Sequence, residues 1–342
     1  MNIARNLLAP LVVLVWLVPS SVVHAQAYCA LRDPVASVFE LFPEAENFRS
    51  IVKVVGNGAR DAIGTRLPLD LHFNELGKHT VYAAMKGQRP IGLVHARSES
   101  DRWGLTEIVW ALDLDLKVVD FRFQRCRNTA RRPLEESTFR AQLQGKSYAE
   151  IRKLLSDDAK SFVTDTPVLP DDVRNLALIV THSALKTILV TQTVWETELH
   201  SLRTQRMLAQ HFGDAFELDP IAVPYTPAIV DQLNQMLMGE RTGIDRDAVA
   251  LYRISTADGA MSGYLIGSPW RSGSTNLDLH WVMNDRGRIL DALASGVEAR
   301  PEIQASLASL RGFEAASTAQ CANALELSAF ELGVLIRGHT GD

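Results

Sequence analysis

The stretch HFNELGKH, residues 72–79, places His72, Glu75 and His79 close together. On a helix the three would share one face and could bind a metal. The flanks argue otherwise. Gly77 interrupts the segment, and LPLDLHF before it and TVYAAMK after it read as strands. The adjacent His-Glu of the zinc-protease pattern H-E-x-x-H is also missing. HFNELGKH therefore reads as strand, turn and strand leading into a sheet, and no metal is expected there. A second concentration of chemistry is FRFQRCRNTARR, which carries Arg122, Arg125, Arg127, Arg131 and Arg132 in a chain of net charge −5. The planar guanidinium fork suits phosphate or carboxylate. A solvated charge run is the plainer alternative. Nucleophile and dinucleotide signatures are lacking. There is no G-x-S-x-G and no C-x-x-C, and GNGARDAIG lacks the G-x-G-x-x-G spacing.

The elements that must position these residues come from an internal repeat. VYAAMKGQRPIGLVHARSESDRWGLTEIVWALDLDLKVVDF (81–121) parallels LYRISTADGAMSGYLIGSPWRSGSTNLDLHWVMNDRGRILDA (251–292). Tyr82 meets Tyr252, Gly92 meets Gly263 and Trp110 meets Trp281; Asp113 and Asp120 meet Asn284 and Asp291. RRPLEESTFRAQLQG (131–145) then parallels ARPEIQASLASLRG (299–312), and each copy ends in an apolar helical segment, 175–195 and 317–338. Within one copy, TVYAAMK, IGLVHAR, LTEIVWALDL and KVVDFRFQ read as strands, from their alternation and from Thr, Ile, Val and Trp enrichment. GQRP and DLDLK supply the turns. PLEESTFRAQLQG has the Pro start and Gly stop of a helix. The fold class expected is α+β: two tandem modules, each an antiparallel β-meander with helices packed on one side. DPVASVFELFPEA precedes the first unit as a helix begun by Asp33 and Pro34. Residues 196–248 read as a helical linker, broken at Pro220, Pro224 and Pro227, with the second copy at 249–338.

Composition bounds the setting. MNIARNLLAPLVVLVWLVPSSVVHAQA has the basic start, apolar run and small-residue end of a secretory leader, so residues 1–27 are expected to be removed and the protein to be periplasmic or secreted. No later run is apolar enough for a membrane span. No basic stripe suggests nucleic acid. Cys29, Cys126 and Cys321 allow one disulfide and one leftover thiol, with the pairing open. Trp110 and Trp281 sit mid-strand and read as core. Trp103 and Trp270 lie in hairpin connections, where an aromatic face either anchors the loop or stacks on a flat ligand.

The order LFPEA (41–45), PIGLVHARSE (90–99), LTEIVWALDLDLKVVDFRF (105–123) and FRAQLQGKS (139–147) resembles the FMN-binding domain. That domain occurs in the flavin subunits of sodium- and proton-pumping NADH:quinone and ferredoxin reductases and in nitrous-oxide-reduction regulators. Gly92, Asp113, Asp115, Val118, Phe139, Leu143, Gly145 and Lys146 stand at positions matching the family pattern, over about residues 38–195 and more weakly 249–338. The resemblance implies FMN as cofactor and electron transfer to a periplasmic or membrane redox partner. Members with covalent flavin esterify a threonine in a Ser/Thr-Gly-Ala-Thr motif. Here the region reads LIVTHSALKT, which keeps the hydroxyls of Thr181, Ser183 and Thr187 but not the Gly-Ala pair. Cys126 stands where the family has the Glu of its E-T-x-G loop. The resemblance therefore points to FMN held noncovalently, with Thr181, Ser183, Thr187, Arg125, Arg127 and Trp103 as cofactor-binding residues and none as a catalytic acid or base. The alternative is a flavin-free accessory or partner-binding module that keeps the fold without the cofactor site.

Overall fold

Alternating apolar residues become strands wherever the repeat predicts them, and each sheet gains one strand more. The computed structural model describes residues 33–342 apart from 70, 73–74, 164–168, 224, 296–300, 315–319 and 341–342. The expected leader and Cys29 lie outside the described residues. The first module runs α1 (Val35–Leu41), β1 (Asn47–Val55), α2 (Asn57–Gly64), β2 (Gly77–Lys86), β3 (Arg89–Asp101), β4 (Gly104–Leu112) and β5 (Val118–Arg125), then α3 (Arg131–Glu136), α4 (Phe139–Leu143), α5 (Tyr148–Arg152) and α6 (Asp171–Val194). The second runs α7 (Glu196–Phe212), β6 (Phe216–Ile221), α8 (Pro227–Leu237), β7 (Ala250–Thr256), β8 (Met261–Ser272), β9 (Thr275–Met283), β10 (Ile289–Ser295), α9 (Pro301–Ser309) and α10 (Ala324–Thr340). Each module holds a five-stranded antiparallel meander, β1-β2-β3-β4-β5 and β10-β9-β8-β7-β6. The α+β class is as expected.

Two expectations need correction. Residues 196–248 are not a helical linker, because β6 is hydrogen-bonded along β7 and belongs to the second sheet. Pro220 hid it: a proline cannot donate to a ladder, and here it sits on an edge strand, where it is tolerated. Helices also cover both faces of each sheet. In the first, α6 packs on one face and α1 on the other, where Val38, Leu41 and Phe42 meet Ala84, Val94, Ala96, Val109 and Ala111. In the second, α10 and α9 take the first role and α7 the second.

The repeat extends to hydrogen bonds. Asp113 Oδ1 accepts from the amides of Asp115 and Lys117, and Asn284 Oδ1 accepts from those of Arg286 and Arg288. Each turn contains one positive φ, 60° at Leu116 and 75° at Gly287. Gly145 N–H donates to Val118 O as Gly312 N–H donates to Ile289 O. Arg140 grips Asp120 through two guanidinium nitrogens, and Arg311 grips Asp291 the same way. The paired glycines match too. A Cβ on Gly92 would overlap the ring of Phe42, just after α1, and one on Gly263 would lie 3.3 Å from the ring of Phe212, the last residue of α7. By this measure α7 is the second module's α1, lengthened.

Trp110 and Trp281 are fully buried mid-strand, as expected. A fully buried large apolar side chain contributes about 1.5–3 kcal/mol. α6 is long and apolar enough to cross a membrane, yet most of that stretch is buried against the first sheet and its neighbours.

Candidate functional site: a charged core and a cleft

The site residues singled out in the sequence lie in and around the core of the first module, and a second place lies apart from them. Thr181, Ser183 and Thr187 lie on α6 with no exposed surface. Thr181 Oγ1 donates to Ala177 O at 2.8 Å and Thr187 Oγ1 to Ser183 O at 2.6 Å, the i−4 bonds that satisfy hydroxyls inside helices. Ser183 Oγ accepts the Trp110 indole N–H at 3.0 Å. These hydroxyls are parts of the core. Trp103 is 45% exposed at the β3–β4 turn, with the Arg102 guanidinium 5.4 Å from its ring centroid. Arg125 lies 3.6 Å from Glu107, and Arg127 is exposed. Asn128 donates to Asp101 at 2.8 Å, which brings the loop of Arg127 alongside the Trp103 hairpin. Cys126, half-buried, accepts the Thr106 hydroxyl at 3.7 Å.

HFNELGKH leads into β2 as expected, but the strand expected in LPLDLHF does not form among its described residues, and the glutamate has a role the sequence did not reveal. Arg97 and Glu99 alternate with His95 on β3, so all three project toward α6. Glu75 accepts from Arg97, from Lys186 of α6 at 3.1 Å and from the His72 amide at 2.6 Å. Lys186 also donates to Glu99 at 3.0 Å. All four charged side chains are buried, two of each sign, as buried charges must be if they are not to cost many kcal/mol. Burial alone would raise the Glu75 carboxyl; Arg97 and Lys186, with the His72 amide, outweigh it and hold it below the usual range. Glu99 moves the other way: burial raises it, Glu75 adds to the rise, and Lys186 only partly opposes. His95 bonds Thr191 Oγ1 at 3.0 Å and packs edge-on against Trp195. Among the described residues no group of three or more His, Cys, Asp or Glu side chains is arranged to hold a metal.

The second place is a cleft of about 810 Å³ between α7 and the second sheet. Its helix wall is Thr197, His200, Ser201, Thr204, Gln205 and Leu208, one face at i, i+3, i+4, i+7, i+8 and i+11. Its sheet wall includes Phe216 and Leu218 of β6, Tyr252 of β7, Leu265 and Gly267 of β8, and Asp278 and His280 of β9, residues two apart along each strand pointing to one face. Gly267, with no side chain, leaves room on the sheet side. A Cβ at Gly267 would stand 3.5 Å from the His280 ring. Gln88, on the β2–β3 turn of the first module, reaches the rim. That turn is tied to the second module by Gln88 N–H to Asp214 O at 3.2 Å.

At the bottom of the cleft the rings of His200 and His280 lie 4.2 Å apart, and His280 Nδ1 pairs with Thr204 Oγ1 at 2.6 Å. His200 Nε2 is buried without a hydrogen-bond partner among the described residues. Burial, then His280 and Arg203, push His200 down to about 3, and burial lowers His280 against the opposing pull of Asp278. Both imidazoles are therefore neutral near pH 7, each offering one donor and one acceptor nitrogen. No Lys or Arg lines the cleft, although Arg49 donates to Gln205 of the helix wall at 2.7 Å. Such a space can bind a small molecule by shape, apolar contact and neutral hydrogen bonds. Two sequence signals pointed to it: the hydrogen-bonding residues recurring at helical spacing in ETELHSLRTQRMLAQHF, and the Asp278/His280 alternation in LDLHW. Neither was decisive, because only the pairing of α7 with the second sheet brings them together. Comparison with protein-family models, with curated proteins and with solved structures finds no match to this chain.

Proposed function

We propose that this chain is a flavin-free accessory protein that binds a small molecule in the cleft between α7 and the second sheet. The observation that carries the reading is the cleft itself: about 810 Å³ between one helix face and one sheet face, with hydrogen-bonding side chains from both walls. The volume falls inside the range of small-molecule sites. The resemblance to FMN-binding domains enters as fold-level analogy, and fold does not fix function. Against the flavin version stand the hydroxyls of Thr181, Ser183 and Thr187, which are buried and already bonded, so an ester to phosphate would require opening the core of the first module. An exported location belongs to the same proposal and rests on the leader-like residues 1–27.

One observation favours a second reading, an FMN electron carrier serving a periplasmic or membrane redox partner. The Asn128–Asp101 bond brings the exposed Arg127 near the exposed Trp103, an arginine for a phosphate and a ring for stacking. The visible absorption spectrum of the purified full chain, followed by titration with FMN, separates the two. The first reading expects a colourless protein and no change in FMN fluorescence on mixing. Flavin bands in the purified protein, or FMN quenching lost in Arg127→Ala and Trp103→Ala, would replace it with the second.

A further inference from the structure

The chemistry of the cleft narrows what it can hold, an argument that rests on the cleft being the binding site. Its polar groups are neutral at depth: the paired imidazoles of His200 and His280 and the Thr204 hydroxyl. The one carboxylate in the lining, Asp278, is exposed at the mouth. An anion entering the base would lose its hydration and meet no cationic side chain of the lining, a cost that neutral donors offset only in part. A cation would be drawn to Asp278 but only across solvent, where attraction is weak. A neutral ring meets apolar contact from Leu208, Leu265 and Tyr252, and its N–H can donate to His280 Nε2, which faces Gly267 of the sheet wall while Nδ1 is taken by Thr204. A ligand that covers this half-buried acceptor without bonding it is penalised, so the site selects for ligands that can donate to it.

We propose that the cleft accepts an uncharged fused heteroaromatic with a hydrogen-bond donor on its edge, seated against His200 and His280, in preference to an anionic one.

The test uses one ring in three charge states. Indole, tryptamine and indole-3-acetate are titrated into the full-length protein by ligand-detected NMR up to about millimolar concentration, the range expected of fragments this small. Two variants probe the location. Gly267→Val fills the hollow from the sheet side with a residue suited to strands, and its Cβ meets only ordinary contacts at 3.5 Å or more. His200→Phe keeps a ring and removes the nitrogens, and it serves should the first variant fold poorly. The expected order is indole tightest, tryptamine next and indole-3-acetate weakest, about tenfold below indole. Both variants weaken indole by about tenfold. Indole-3-acetate binding as tightly as indole, with both lost in the variants, would overturn the preference for neutral ligands and leave the cleft standing as a site. No binding by any of the three, or binding indifferent to both variants, would overturn the cleft reading and this inference with it.

Discussion

The two modules share a scaffold and differ in where they keep their polar groups. Both have the five-stranded meander, the Asx-bonded turn before the last strand, the bidentate Arg–Asp pair and a buried tryptophan at the same register, Trp110 opposite His95 and Trp281 opposite Ile266. Both also join their long helix to the segment entering the sheet by an ion pair whose helix member is buried, with the signs exchanged. In the first module Lys186 on α6 meets Glu75; in the second Glu331 on α10 meets Arg246 at 2.6 Å. The first module adds Arg97 and Glu99 to this pair, where the second has Ser268 and Trp270 on the corresponding strand. Its opposite face is closed by alanines and valines under α1. The second module closes its α10 side with Trp270 and Trp281 and leaves its opposite face hollow under α7. A duplicated scaffold thus fixes backbone and turns while its two faces diverge: one module carries its polar residues as a sealed core, the other as an open site.

The largest expected effect comes from breaking the sealed network. Lys186→Met leaves Glu99 with no cation bonded to it and Glu75 with Arg97 alone. Removing one partner of a buried pair costs about 3–5 kcal/mol, because the remaining charge is stranded. Glu331→Gln should cost less, about 1–2 kcal/mol, since the amide still accepts a neutral hydrogen bond and Arg246 reaches solvent. Urea midpoints of the two variants check this, and equal losses would break the contrast between a sealed network and a partly hydrated pair. Mild acid supplies a signature as well. Glu99 is raised in the folded state, so the penalty for ionising it is present at neutral pH and fades as the pH falls through its folded value. The Lys186→Met variant should therefore show a smaller deficit relative to wild type at pH 5 than at pH 7.

The paired glycines test the repeat at the next level. Gly92→Ala and Gly263→Ala should each cost about 1–3 kcal/mol by overpacking. The obstacles differ. At Gly92 the new Cβ overlaps the Phe42 ring and comes 2.9 Å from Leu112 O; at Gly263 it overlaps the Met283 carbonyl and comes 3.3 Å from Phe212. A smaller side chain, Phe42→Leu, should recover part of the first loss in a double-mutant cycle. Phe212→Leu should recover less of the second, because backbone cannot step aside. No rescue at all by Phe212→Leu would remove the case for α7 as the counterpart of α1.

How much of this the sequence disclosed follows from the range of each interaction. The hairpins and the Asp113 and Asn284 turns were legible because alternation and Asx chemistry are local. Gly92 and Gly263 were aligned, but the rings that need them come from Phe42 and Phe212, in elements the alignment had not paired. β1 and β6 were missed in both copies alike. NFRSIVKVV is an edge strand with few buried residues, and FELDPI carries a proline, so neither shows the expected pattern. Thr181, Ser183 and Thr187 looked available because a hydroxyl in a sequence carries no label for burial; the apolar residues around them were the signal that α6 is surrounded. The Lys186 network and the cleft join residues far apart in the chain, and periodicity cannot register that.

A smaller effect is expected from acid. Burial first, then Arg97, holds His79 down at about 4, burial leads the lowering of His200 to about 3, and His95 sits well below its usual value. The unfolded chain takes up these protons near pH 6.5, whereas the folded chain waits until the lower values. Between those limits the unfolded state binds more protons, so stability should fall as the pH drops from about 6.5 toward 4. Urea midpoints at pH 7 and pH 5 check the sign. His200→Phe should flatten the slope in part and not abolish it, because His79 and His95 of the first module still resist protonation.

The smallest expected effect bears most directly on the difference between the two faces. Ala96 and Gly267 hold matching places, opposite Val109 and His280 on the neighbouring strands. Ala96 is buried under α1, whereas Gly267 borders the cleft. Gly267→Ala adds a Cβ whose nearest neighbours are the His280 ring at 3.5 and 3.6 Å and Ala250 at 3.8 Å, ordinary contact distances. The new methyl gains apolar contact and the unfolded chain loses freedom, so the change should be neutral or stabilising within about 0.5–1 kcal/mol. Ala96→Gly should destabilise by about 1 kcal/mol, since it removes a buried methyl and adds unfolded-state freedom. The pair of midpoints thus measures packing on two faces with one methyl group. If adding the methyl at Gly267 costs as much as removing it at Ala96, the second face is as tightly packed as the first, and a hollow that small could not admit a fused ring.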